Sequence, residues 1–358
     1  FTQIRFRFFD FKNKEQDETY SAEAHITAAL KWLRASLLPD GGVAAKYSMM
    51  TNEIAAGYPM AAAMWIPVLM EIRKQFPECY HEVMGTADLT SDLAGWVMLT
   101  QRRDGTFPAS FGDFMNQPPR VFNNGVIINS LLDFYEATKR EDVLQACIQS
   151  AQWLMKVQSN DGSWRQFTFH QLSSNTITGS ALIRLGQICG ERQFIQAGES
   201  NISFAVGLQS ENGYFRGNGF DSAPSAYTIT IGYAINGILQ ASRLTGNQNW
   251  LNAAIKGLAP VLNLTRKDGF LVGEVDEQFR SESSFSCLPG NCLIAIAAYR
   301  AASMSGNNDL KLRADLLTDY LKTKQMKSQT PAISGGLPGS WPISGNYCSY
   351  EIPSWAVR

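Results

Sequence analysis

The chain has 358 residues, of which 45% are hydrophobic and 18% charged, and its formal net charge is −1. This is the composition of a folded globular protein with a large core. It excludes the basic field that binding to nucleic acid or to an anionic membrane surface requires. The uncharged apolar run 55–70 contains Pro59 and Pro67 and is short for a membrane span, so no transmembrane segment is expected.

Residues 1–20 alternate at their start and fit no later pattern, so they read as an N-terminal arm. From there two classes of stretch alternate. Stretches 22–37, 86–101, 143–158, 194–209, 250–264 and 309–324 carry apolar residues at three and four spacings with polar residues between them, as on half-exposed helices. Stretches 58–72, 124–138, 176–189, 228–242 and 288–302 are more apolar, and 229–239 is apolar nearly all round, as on a helix surrounded by protein. A sixth stretch of this second kind would begin near Pro353 and is cut short at Arg358.

Between the two classes lie turns at Asp40-Gly41, Asp104-Gly105, Asp161-Gly162, Asn212-Gly213, Asp268-Gly269 and Gly335-Gly336. Their spacing of roughly 50–65 residues suits a helical hairpin with its loop, a unit that needs neighbours to bury its apolar side. The expectation is an all-α fold, a single (α/α)6 toroid over 21–358 with outer and inner helix rings and a truncated last inner helix. An open helical solenoid is the alternative. Phe107, Trp164, Tyr214 and Phe270 follow the turns and are expected to wedge between hairpins.

Cys79, Cys147, Cys189, Cys287, Cys292 and Cys348 form no Cys-x-x-Cys pair, and three of them lie in apolar helical stretches. Free buried thiols favour a reducing, cytoplasmic setting. His25, His81 and His170 show no ligand spacing, so neither metal nor cofactor is expected.

The pattern Gln-x-x-Asp-Gly-x-aromatic occurs at 101–107 and 158–164, with a variant at 209–214. It resembles the repeats of the terpenoid-cyclase and prenyltransferase-like toroid superfamily. Gly41-Gly42, Gly57-Tyr58-Pro59, 121–125, 286–290 and 335–343 resemble uncharacterised bacterial toroid proteins associated with polysaccharide biosynthesis, and more distantly the catalytic part of uronate C5-epimerases. The resemblance implies a bacterial protein and an acidic glycan or glycolipid as substrate. The Asp-x-Asp-Asp acid of class II terpene cyclases and the zinc set of protein prenyltransferases are absent from the sequence.

In a toroid the turn loops share the face onto which the inner helices open their N-termini, an environment suited to a carboxylate or phosphate. The candidate catalytic residues there are Tyr58, His170 and Tyr227. Candidate substrate-binding residues are Arg120, Asn123, Asn124, Trp164, Asn175, Glu274, Asn291, Tyr347 and Tyr350. Helix capping is the structural reading of the asparagines, and rim packing that of the tyrosines. Lys46, Arg165, Arg216 and Arg280 are further loop cations, for which ordinary solvation is the simpler account. A tyrosine acting as base requires a pKa depressed by a nearby cation. The function expected is α-proton abstraction from a uronate by an epimerase or lyase. A glycoside hydrolase, an isoprenoid cyclase or transferase, and a non-catalytic glycan-binding toroid remain as alternatives.

Overall fold

The computed structural model describes residues 20–109, 117–169, 172–220 and 225–358. The expected arm over 1–20 therefore lies, but for Tyr20, outside the described residues. The outer helices are α1 (Ala22–Ala35), α3 (Pro77–Met84) with α4 (Leu89–Leu99), α6 (Glu141–Lys156), α8 (Arg192–Gly207), α10 (Gln248–Asn263) and α12 (Asn308–Thr323). The inner helices are α2 (Pro59–Gln75), α5 (Val121–Thr138), α7 (Thr176–Cys189), α9 (Thr228–Thr245), α11 (Leu288–Ser305) and the short α13 (Ser354–Val357).

Consecutive inner helices pack on one another, and α13 touches both α11 and α2, which closes the ring. The fold is an (α/α)6 toroid. Caps fix several outer starts: Ser21 accepts from the Ala24 N–H at 3.2 Å, Asn247 from Asn249 at 3.0 Å, and Asn307 from Asp309 at 3.0 Å. No helix among the described residues is long and apolar enough to cross a membrane.

The repeated turn has one construction. Asp40, Asp104, Asp161, Asn212 and Asp268 each accept the N–H two residues on, at 3.0–3.1 Å. In three of these turns a glutamine three residues before the Asp or Asn spans two elements. Gln101, Gln158 and Gln209 each donate to the carbonyl of their own turn glycine and to one on the next outer helix, at 2.8–3.0 Å. Gln325 repeats the bridge across the ring closure, from the Gly335 carbonyl at 2.9 Å to that of His25 in α1 at 3.0 Å. Gly162 shows why the turn needs glycine. Its φ is +84°, and a Cβ there would lie 2.4 Å from the Ser200 carbonyl oxygen of α8. Phe107, Trp164, Tyr214 and Phe270 are all buried behind these turns.

Two features differ from the sequence reading. Residues 77–84 form an additional outer helix, started by Pro77 at its first position. The loops also carry short antiparallel strands: β1 (Lys46–Ser48), β2 (Glu53–Ile54), β3 (Ser225–Tyr227), β4 (Glu274–Asp276), β5 (Ser286–Cys287), β6 (Ser340–Trp341) and β7 (Glu351–Pro353). They are too short to show a period in sequence. The sheet β2-β1-β7 ties the first loop to the last, with Tyr47 opposite both Ile54 and Ile352. The β3–β4 ribbon sets Tyr227 opposite Glu274, which puts their side chains on one face.

Candidate active site

At the end of the toroid where the inner helices begin lies a cavity of about 140 Å³. Its floor comes from Met60, Ile229 and Tyr233 on inner helices, and its walls from Phe122, Phe169, Phe220, Tyr347 and Trp355. Tyr58 and Asn123 add the polar groups. The aromatic rings follow one another around this mouth. Phe169 meets Phe220 edge-on at 6.0 Å, Phe220 lies 6.1 Å from Tyr227, and Tyr227 lies 5.4 Å from Tyr347. The Trp355 indole N–H donates to the Tyr347 hydroxyl at 3.0 Å and its ring stands 6.2 Å from Tyr58. Walls of this kind with a few convergent polar groups suit a small ligand, and pyranose C–H faces pack well on aromatic rings.

Tyr58 precedes α2 directly, held there by Pro59 at the first helical position. Its hydroxyl accepts a hydrogen bond from the Asn123 amide, at the start of α5. Burial pushes the Tyr58 hydroxyl up to about 12, outweighing the opposing influence of that hydrogen bond and of the Arg120 charge. Burial likewise raises Tyr233 and lifts Tyr347 well above the ordinary phenol value. The depressed pKa that a tyrosinate base needs is therefore absent at Tyr58. A neutral phenol is a proton donor. The Glu274 carboxyl, across the ribbon from Tyr227, is also raised by burial.

Arg120 precedes α5 and donates to the Thr168 carbonyl at 2.8 Å, with its guanidinium 4.4 Å from the Phe169 ring centre. Other loop cations are engaged locally. Lys46 pairs with Glu351 at 2.6 Å, Arg165 with Asp161 at 2.6 Å, and Arg280 with Asp276 at 2.8 Å, while Arg216 donates to the Leu208 carbonyl at 3.3 Å.

Several residues expected at the site serve the framework instead. Trp164 is fully buried and donates to the Leu154 carbonyl at 2.9 Å. Asn124 turns back from α5 to the Phe107 peptide, accepting its N–H at 2.8 Å, and also receives the Ser150 hydroxyl at 3.0 Å. Asn291 donates to the Ser286 hydroxyl at 2.7 Å, and both it and Asn175 are wholly buried outside the cavity lining. Tyr350 takes a left-handed φ of 58°, and its carbonyl accepts the Met49 N–H at 2.8 Å. His170 lies outside the described residues; Phe169, its predecessor in the chain, lines the cavity. His25 and His81 sit on the outer shell, bonded to Gln325 at 2.6 Å and to the Gly85 carbonyl at 3.0 Å.

Phe122, Tyr233 and Trp355 line the cavity without having been singled out from sequence. Tyr233 carried a usable signal, a phenol within the otherwise apolar run 229–239.

No protein-family model matches the chain, and no curated protein is similar to it in sequence. Solved structures share its fold. Cellobiose 2-epimerase from Bacillus thermoamylovorans superposes with a TM-score of 0.70 at 14% identity, over 97% of this chain and 95% of that one. An unsaturated glucuronyl hydrolase specific for heparin gives 0.72 at 11% identity, over 94% and 93%. A D-mannose isomerase gives 0.67 at 8% identity, over 95% and 97%. These structural neighbours are glycan-acting (α/α)6 toroid enzymes, and at such identities the likeness is one of fold.

Proposed function

We propose that the protein is a carbohydrate-active enzyme that moves a proton at the carbon α to a uronate carboxylate. Its substrate is a uronate-containing polysaccharide or oligosaccharide. The observation that carries this reading is the aromatic cavity with a neutral phenol, Tyr58, held by Asn123, and with Arg120 beside the Phe169 wall. Two of the similar structures are named as a sugar 2-epimerase and a sugar isomerase. Epimerisation beside a carbonyl begins with removal of the α-proton, so the reading is in keeping with them.

Arg120 holds the uronate carboxylate through its forked donors. A base takes the proton from C5, and the C–H electron pair passes into the carboxylate as an enolate. Tyr58, protonated, donates to the developing oxyanion. Return of a proton to the opposite face of C5 completes an epimerase. Alternatively the electrons form a C4–C5 double bond as the C4–O bond breaks, and the leaving oxygen takes a proton, which completes a lyase. The base is His170, which follows Phe169 in the chain, or Glu274, whose raised carboxyl is a stronger base than an exposed glutamate.

The test is proton exchange on acidic oligosaccharides in deuterated water, repeated with His170→Ala and Glu274→Gln. Loss of the C5 proton signal by the parent protein and its retention in one variant supports the scheme and names the base. Saturable sugar binding without exchange overturns the catalytic reading. An isoprenoid ligand is the second reading, favoured by the Phe122, Phe169, Phe220 and Ile229 wall. Binding of a prenyl diphosphate in place of any sugar would select it.

A further inference from the structure

The opposite mouth of the toroid, at the C-terminal ends of α5, α7, α9 and α11, opens into a second and more polar recess of about 660 Å³. One side of it is a closed network. Arg184 donates to Asp133 at 2.7 Å and to Glu136 at 2.6 Å, with further bonds to the Asn129 carbonyl and side-chain oxygen at 3.1 and 3.2 Å. Asn129 in turn exchanges hydrogen bonds with Gln240 at 2.9 and 3.0 Å. Both carboxylates of this wall are thus bonded to one guanidinium.

The facing side carries two more arginines, Arg243 of α9 and Arg300 of α11. Among the described residues neither forms an ion pair with a carboxylate. The only acceptor bonded to the Arg300 side chain there is the neutral Asn236 amide oxygen, at 2.8 Å. Asp133 reaches both arginines through space, but its direct partner is Arg184. The protein crowded around the recess, and after it the like charges of Arg243 and Arg358, hold Arg300 below the ordinary guanidinium range, although its side chain keeps surface open to the recess. Both Arg243 and Arg300 remain open to solvent within the recess. The carbonyl ends of the helices offset part of the positive charge, yet they supply no acceptor to the Arg243 side chain among the described bonds.

Two like-charged arginines that line one recess and keep spare donors suit an oxyanion that accepts from both forks. We infer that this recess binds a small anionic ligand through a phosphoryl, sulfate or carboxylate group placed between Arg243 and Arg300. Ser303, on the same helix as Arg300, lines the recess and offers a hydroxyl to the remainder of the ligand. Leu239, Leu244 and Met304 give that remainder an apolar side. The site is separate from the aromatic cavity and does not depend on the reaction proposed there.

The test is calorimetric titration of the whole chain with inorganic phosphate, sulfate and citrate in separate runs, at low ionic strength. Saturable binding of at least one is expected, weakened at least about tenfold in Arg243→Gln and in Arg300→Gln, since each removes a charge-assisted fork. Arg243→Lys keeps the charge but not the fork, and falls between. Tyr58→Phe, in the other cavity, leaves the affinity unchanged. The phosphate, sulfate and citrate arms distinguish the anion class. Absence of saturable binding in all three, or affinity unchanged in both glutamine variants with circular dichroism intact, overturns the inference.

Discussion

The glutamine bridge of the repeated turns predicts a definite loss of stability when one bridge is removed. In Gln158→Ala the amide donors to the Gly162 and Ala197 carbonyls disappear, both at 3.0 Å in the intact protein. Each such bond contributes about 1 kcal/mol net. The Gly162 carbonyl keeps a second donor, the Asn201 amide at 3.0 Å, so no bare buried acceptor adds to the cost. The expected loss is about 2 kcal/mol. Gly162→Ala attacks the same turn differently: left-handed φ costs an alanine about 1–2 kcal/mol, and its methyl meets the α8 main chain at 2.4 Å. A total of about 3 kcal/mol follows, because a backbone carbonyl does not step aside as a side chain does. Gln193, exposed and with its side chain bonded among the described residues only to Glu191 at 3.4 Å, provides the control, with Gln193→Ala within about 0.5 kcal/mol of the parent. Urea unfolding followed by circular dichroism measures all three. A Gln158→Ala loss no larger than that of Gln193→Ala would refute the bridge as a stabilising element.

Other perturbations address the site and the walls around it. Tyr58→Phe should lower turnover about 100-fold or more if the phenol is the proton donor. It should also cost about 1–3 kcal/mol in a melt, since Asn123 is left with an unpaired buried donor. Because the Tyr58 hydroxyl is pushed up to about 12, it stays protonated from about pH 6 to 10, and its contribution to activity should be flat there. The sign for stability follows: this group's stabilisation is complete below its unfolded value near 10 and fades as pH rises toward 12. A rate that climbs with phenol ionisation between about pH 8 and 10 would restore the tyrosinate base. Arg120→Gln should raise KM for acidic sugars about tenfold or more while leaving neutral analogues unaffected; an equal loss for both would remove the carboxylate grip. Trp164→Ala should destabilise by about 3–5 kcal/mol, as an emptied core position does, and unchanged stability with altered sugar affinity would return Trp164 to the site.

The ring architecture was legible because its determinants are local. The bond from Gln158 to Gly162 and that from the Ser163 N–H to Asp161 lie within six residues of sequence, and the helical stripes repeat on either side. Helix α3 escaped notice because it is short and Pro77 reads as a break, although proline is favoured at a first helical position. The site was legible only in part. Tyr58 and Asn123 stand at the cavity because an inner helix start positions them there, and Tyr347 reaches it from the loop between β6 and β7. Asn124 and Trp164 occupy the same level of the sequence pattern but turn into the wall, and that choice is set by helix phase and by packing against the next hairpin. One residue step along α5 separates Asn123, facing the cavity, from Asn124, locked to Phe107. Phe122 and Trp355 joined the cavity through contacts across the ring, which no spacing along the chain displays.

The proposed function stands or falls on proton transfer at a sugar α-carbon inside the aromatic cavity. Proton NMR of uronate oligosaccharides incubated with the protein in deuterated water tests it most directly. Loss of the C5 proton signal is expected, with new vinyl signals if the enzyme is a lyase, and neither change with Tyr58→Phe at matched concentration. Full retention of that signal across acidic substrates that demonstrably bind the parent protein would contradict it.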